Sequence, residues 1–185
     1  MSQRPPQHVW DYSDYARFPD DGNRYEVIDG EVLVTPAPST YHQHVLANLL
    51  VALRLYLKRE PMGVVLPDVD LLFVSGQFLR PDLVVVANEA RDGITNRGGE
   101  LPPALVVEVL SPTSSSIDRV KKPRRYGDFG IPEYWVIDPE ERLVWVWRFA
   151  AGASDAERVT GRLVWHSKGA GQAFEITPEE LFEPM

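Results

Sequence analysis

Residues 105–138, LVVEVLSPTSSSIDRVKKPRRYGDFGIPEYWVID, decide the fold. Leu105–Leu110 is a short apolar run interrupted by Glu108. Continuous apolar runs of this length belong to strands buried on both faces. Ser114–Ser116 then precede a helix over Ile117–Phe129, with Pro123 near its first turn, where a missing N–H costs little. Gly130-Ile131-Pro132 ends that helix, and Tyr134–Ile137 is the next strand. Strand, helix and strand in that order form the crossover that joins parallel strands.

Working outward, Asp138-Pro139 turns the chain into a strand over Leu143–Phe149. This strand and its tryptophans read first as core; Trp145 and Trp147 alternate, so both rings face one side, which also allows a dimer contact. Gly152–Glu157 reads as a loop, Arg162–His166 as a strand and Pro178–Phe182 as a short final helix. Upstream, Leu83–Ala87 is a second continuous apolar strand, entered through Arg80-Pro81-Asp82. Val64–Val74 reads as one strand with Asp68 and Asp70 on one face, turned by Ser75-Gly76. Between Ser39 or Thr40 and Arg59 the residues Val45, Leu46, Leu49, Leu50, Leu53, Tyr56 and Leu57 recur at helical spacing. Pro61 and Gly63 stop that helix. Tyr25–Ile28 and Glu31–Thr35 flank Asp29-Gly30, a strong hairpin signal, and Pro36-Ala37-Pro38 breaks the second strand. Ser13 is placed to cap a short helix through Phe18, and residues 1–9 read as a loose, Pro-rich start. The order is hairpin–α–β–β–β–α–β with extra strands at the end, an α/β (α+β) chain with a mixed sheet. Without repeats or a long linker, residues 1–185 read as one domain, with a core over about 13–149 and a β extension over 150–185.

The 185 residues carry 19 basic and 27 acidic side chains, a net charge of −8. That balance disfavours a histone-like or tail-type nucleic-acid binder. The excess is confined to the ends: residues 1–35 and 175–185 each carry −4, while 36–174 is neutral. The densest basic run, IDRVKKPRR over 117–125, lies inside the fold. No cysteine is present, which excludes a disulfide scaffold, a thiol enzyme and a cysteine-ligated zinc site. No signal-peptide core or membrane-length apolar stretch is present, so a soluble, cytoplasmic protein is expected.

Two acids carry the chemistry. Asp82 enters one buried strand and Glu108 lies inside another. A carboxylate in such a run is costly unless it is paired or holds a metal. Two carboxylates suit a hard cation, Mg²⁺ or Mn²⁺, which can hold a phosphate and lower the pKa of a water. A Lys or Arg from the following basic helix would stabilise charge on the phosphorane oxygens. The spacing is equally compatible with Asp82 capping a strand and Glu108 pairing with Arg80 or Arg119.

Pro81-Asp82, Glu108 in LVVEVLSP, Asp118 and Lys122 on the helix, and GIPEYWVIDP together resemble the Uma family of “putative restriction endonucleases”, a domain family of unknown function within the PD-(D/E)XK nuclease superfamily. RYEVIDGEVLVTPAPS followed by His42 fits the family's N-terminal block. The resemblance spans about residues 13–149 and implies a restriction endonuclease-like α-β-β-β-α-β core. It implies Asp82 and Glu108 as metal ligands and Lys122 as the catalytic cation, with Lys121 as the fallback. The usual Lys two residues after the acid is replaced by Leu110. Glu31 matches a recurring N-terminal acid, a further metal or water ligand, and His42 matches a His that contacts the phosphate or orients Glu31. The same pattern leaves Glu31 as a solvent-facing acid and His42 as a helix-start polar residue. Asp70 could stand as an outer acid behind the site, and Asp68 belongs to solvent or a salt bridge. Tyr126 and Trp135 read as cover for the helix–sheet seam, Glu133 as a partner for a base on the preceding helix, and Ser111 and Thr113 as helix caps. Arg124 and Arg125 read as a solvated face able to hold flanking phosphates.

The expected activity is Mg²⁺- or Mn²⁺-dependent hydrolysis of DNA phosphodiesters, with a homodimer suited to cutting two strands. The competing reading is a catalytically inactive nuclease-fold module that binds nucleic acid or protein. A metal-dependent hydrolase of a smaller phosphoester is a third.

Overall fold

The computed structural model describes residues 8–111 and 117–185. Expectations that fall on 1–7 and 112–116, including the Thr113 cap and the Ser114–Ser116 lead-in, lie outside the described residues. In chain order the strands are β1 (Arg24–Ile28), β2 (Glu31–Thr35), β3 (Gly63–Pro67), β4 (Leu71–Leu72), β5 (Phe78–Leu79), β6 (Leu83–Ala87), β7 (Ile94–Thr95), β8 (Gly98–Gly99) and β9 (Leu105–Val109). They continue as β10 (Glu133–Asp138), β11 (Leu143–Arg148), β12 (Glu157–Val159), β13 (Leu163–Trp165) and β14 (Phe174–Ile176). The α-helices are α1 (Thr40–Arg59), α2 (Lys122–Asp128) and α3 (Pro178–Leu181).

One six-stranded sheet runs β12-β11-β10-β9-β6-β3, and a second runs β2-β1-β5-β4-β8-β7. In the first sheet β9 and β10 are parallel and every other pair is antiparallel. The chain between them passes through α2, as the strand–helix–strand reading requires. Leu105, Val107 and Val109 of β9 face α1 and the β13–β14 pair, where Leu49, Leu53 and Trp165 close the larger core. Val106 faces the other way, into a second core with Leu71, Leu79, Tyr126 and Tyr134. Glu108, two residues after Val106, shares that second face. The site therefore lies between the two sheets. Among the described residues no helix is long and apolar enough to cross a membrane.

The long helix α1 starts where the sequence places it, with the Ser39 side chain accepting the His42 N–H. Three expectations need correction. The first short helix, Tyr12–Arg17, is capped by Asp11 and not Ser13, because the Asp11 carboxylate accepts the Ser13 N–H while Asp14 returns the bond. The expected strand over 64–74 is broken after Pro67. Asp68 takes a left-handed φ of 55°, and the chain leaves the first sheet to enter the second at Leu71. Asp68 and Asp70 consequently do not share a strand face. Asp70 instead binds Arg80 at 2.6 and 3.0 Å and does not line the cavity that holds Asp82. The helix over 117–129 begins as a π-turn, Ile117–Lys121, and becomes α-helical only at Lys122, next to Pro123. Strands β12 and β14, three residues each, are not among the strands read from the sequence, whereas β13 falls within the strand expected over Arg162–His166.

Gly63 holds the edge strand β3 close to β6: a Cβ there would stand 2.4 Å from the Val86 carbonyl oxygen. Gly161 faces open space. Gly63→Ala should lower stability by about 1–3 kcal/mol, as overpacking does, and Gly161→Ala should leave the urea midpoint unchanged. Equal midpoints for the two variants would contradict the register of β3.

Candidate active site

Arg24 and Glu26, two apart on β1, project to one side, towards the end of β9. Asp82 lies at the entrance to β6, which pairs with β9 through Leu83 and Val107. That pairing lets the Asp82 Oδ2 accept the Val109 N–H at 2.8 Å. Its Oδ1 accepts from Arg24 at 2.6 Å, and His42 Nε2 stands 3.5 Å away. Asp82 is 2% exposed. Burial acts to raise its pKa, but His42, Arg24 and the Val109 N–H outweigh it and hold the carboxyl at about 2.

Glu108 is 3% exposed. Its Oε1 accepts from Lys122 Nζ at 2.8 Å and from the Tyr126 hydroxyl at 2.9 Å. The Lys122 ammonium also meets Glu26 at 3.0 Å and Asp118 at 3.1 Å. Asp118 and Lys122 are four residues apart, so successive helical turns bring them to the same face. Burial pushes the Glu108 carboxyl well above its usual range; Lys122 opposes that, and Asp118, Asp82 and Glu26 add to it. Burial would lower the Lys122 pKa, but Asp118, Glu108 and Glu26 raise it well above the ordinary value. The ammonium stays charged.

These groups line a small cavity of about 30 Å³, together with Thr35, Pro36, Pro38 and Ser111. A cavity of that size admits a water or a bare ion. Four carboxylates, Glu26, Asp82, Glu108 and Asp118, face two firm cations, Arg24 and Lys122. Fully ionised, the cluster carries two negative charges in excess, the charge a divalent cation supplies. Oxygen donors on adjacent strands suit Mg²⁺ or Mn²⁺. Among the described residues, however, no three His, Asp or Glu side chains are already gathered in liganding geometry. Arg24 and Lys122 occupy the oxygens that such an ion would use.

The structure brings Asp82, Glu108, Lys122 and His42 together. Glu31 lies elsewhere: it is exposed at the hairpin turn, with Lys121 Nζ at 3.7 Å. Lys121 therefore points to the surface, and Lys122 alone of the pair reaches Glu108. Glu133 pairs with Arg148 on β11 and accepts the Trp135 indole N–H, not a base on the preceding helix. Glu108 takes neither Arg80 nor Arg119. Arg125 is bound to Asp29, and Arg124 lies on the surface 3.9 Å from Asp128. Arg24 and Glu26 were not foreseen. Their signal was present: two opposite charges at strand spacing in the run RYEVI. Tyr126 does cover the helix–sheet seam, and it is also a hydrogen-bond donor to the site acid.

The fold is of the α+β class, with mixed sheets flanked by helices and a buried Asp and Glu beside a helix-borne Lys. The family model described as “Putative restriction endonuclease”, Uma2, matches residues 12–178, and the chain belongs to that family. A solved structure from Anabaena variabilis ATCC 29413, described as a putative nuclease belonging to DUF820, superposes with a TM-score of 0.78. It is 20% identical and covers 94% of this chain and 97% of its own, which shows a shared fold. No curated protein matches the chain.

Lys122→Met strands three buried carboxylates and should cost about 3–5 kcal/mol in metal-free buffer at neutral pH. Adding Glu108→Gln should recover part of that loss. Chemical denaturation of the single and double variants measures both.

Proposed function

We propose that the protein is a Mg²⁺- or Mn²⁺-dependent endonuclease acting on DNA phosphodiester bonds. The observation that carries this reading is the cavity shared by the buried carboxyl groups of Asp82 and Glu108, with the Lys122 ammonium in its wall. Asp82 and Glu108 would hold the cation. Bound there, it would neutralise the phosphate and lower the pKa of an attacking water. Asp82 suits this role because His42, Arg24 and the Val109 N–H favour its ionised form and the Val109 N–H fixes its orientation.

Lys122 holds the Glu108 carboxylate in place and presents a positive charge where negative charge develops on the phosphorus oxygens. Tyr126 donates to the same Glu108 oxygen and fixes its rotamer. Arg24 stands at the cavity wall between Asp82 and Asp68, which is 3.4 Å away and exposed. It can pass to Asp68 or to a substrate phosphate when its place on Asp82 is taken. His42, buried with neither ring nitrogen hydrogen-bonded among the described residues, faces the same cavity and would contact the phosphate.

A second reading, a non-catalytic nuclease-fold module, is favoured by one observation: Arg24 and Lys122 already hold both carboxylates through direct hydrogen bonds. Mn²⁺ titration separates the two. The nuclease reading expects binding that is lost in Glu108→Gln, and the module expects no such dependence.

Plasmid cleavage in Mg²⁺ or Mn²⁺ tests the activity. Asp82→Ala, Glu108→Gln and Lys122→Ala should each lower the rate by about 100-fold or more, and a chelator should abolish it. Glu31→Gln should change it less than about threefold, the small effect expected of an exposed acid outside the cavity. Cleavage that survives the first three substitutions would remove these residues from the chemistry.

A further inference from the structure

We propose that the groove beside the catalytic cavity seats an unstacked nucleotide next to the scissile phosphate, so that the preferred substrate is a single strand or a locally opened duplex. This rests on the nuclease reading above. The groove has a volume of about 800 Å³, against about 30 Å³ for the cavity. His42 and Ser111 line both, so the two adjoin. It opens where β9 and the parallel β10 end, the side on which open α/β sheets place their ligands.

Its wall has the chemistry of a nucleotide. Trp145 is half-buried on β11, with the Arg119 guanidinium 5.7 Å from its ring centroid. Arg158 stands across from Trp145 in the β11–β12 register, exposed and without an ion pair among the described residues. Tyr41 adds a second ring from the first turn of α1. Aromatic faces and guanidinium groups together hold bases and the phosphates beside them. His42, 5% exposed and with neither ring nitrogen hydrogen-bonded among the described residues, stands at the passage from this groove to Asp82.

The charges argue for a strand out of its duplex. Duplex affinity comes mainly from phosphate contacts. Part of the basic run that could supply them is committed: Lys122 to the buried carboxylates and Arg125 to Asp29, with Lys121 exposed 3.7 Å from Glu31. Glu140 and Glu141 are exposed on the outer rim, while Asp138 closes their turn by accepting both N–H groups. That rim repels phosphates and confines the backbone to the side of Arg119 and Arg158. A stacked base pair hides the faces that Trp145 and Tyr41 could meet, whereas an extruded base exposes them.

The test is fluorescence anisotropy in Ca²⁺, using a labelled DNA single strand of about ten nucleotides and the duplex of the same sequence. The wild-type chain should bind the single strand at least about fivefold more tightly, and Trp145→Leu should weaken that binding by about five- to 100-fold with duplex affinity little changed. Arg158→Gln alters an exposed side chain, keeps the fold, and should weaken single-strand binding by about twofold or more. It decides the matter if Trp145→Leu fails to fold. Equal affinity for strand and duplex, or wild-type binding by the variants, overturns the proposal. Plasmid cleavage with unaltered binding in the variants would leave the nuclease reading standing and remove the groove. Strand binding lost in the variants, from a wild-type chain that cuts nothing, would do the reverse.

Discussion

Lys122 places one ammonium among three carboxylates, Glu26 on β1, Glu108 on β9 and Asp118 on the π-turn before α2. Each carboxylate comes from a different element, so this one charge ties the second sheet and the helix to the first sheet. Taking four ionised groups out of water is expensive, and their mutual attraction repays that only when the geometry is good. The packing around them follows from the requirement. Tyr126 and Tyr134 close over the cluster as neutral phenols, one donating to Glu108 and the other to the Asp118 carbonyl. A simple apolar filling would pack as well, so the expense points to chemistry as the reason these charges are kept.

Asp82 and Glu108 sit within the same cavity in opposite electrostatic circumstances. Arg24, His42 and a main-chain N–H keep Asp82 ionised. Glu108, buried beside three other acids, is pushed upward, with Lys122 and Tyr126 on one oxygen. Asp82 and Glu108 are the carboxylates that would hold a divalent cation, whose charge would offset that repulsion.

The basic run over 117–125 changes meaning once folded. As a string it looks like a phosphate-binding patch. In the structure Lys122 is buried, Lys121 and Arg125 clamp the β1–β2 hairpin turn through Glu31 and Asp29, and Arg119 lies against Trp145. The segment serves mainly to fasten the helix to the sheet carrying Glu26. Glu31, matched to the family by its place in the hairpin, belongs to that fastening. The rings of Trp145 and Trp147 do share a face, as alternation requires, but Trp147 is packed in the core and only Trp145 reaches the groove.

The sequence by itself determined the local elements and their order: the β1–β2 hairpin, the amphipathic α1, and the crossover from β9 through α2 to β10. It also singled out Asp82 and Glu108, because a carboxylate in a continuous apolar run stands out against its neighbours. Periodicity and turn chemistry act over a few residues, so they are legible in a string. Only the tertiary structure decided which groups meet those acids. Arg24 reaches Asp82 from 58 residues away, and the sheet-to-sheet packing brings Glu26 to Lys122. The choice between Lys121 and Lys122 was likewise made by helix rotation against the sheet, since neighbours in a helix point about 100° apart. Pairings of that kind depend on the relative placement of elements remote in sequence, and no local pattern encodes it.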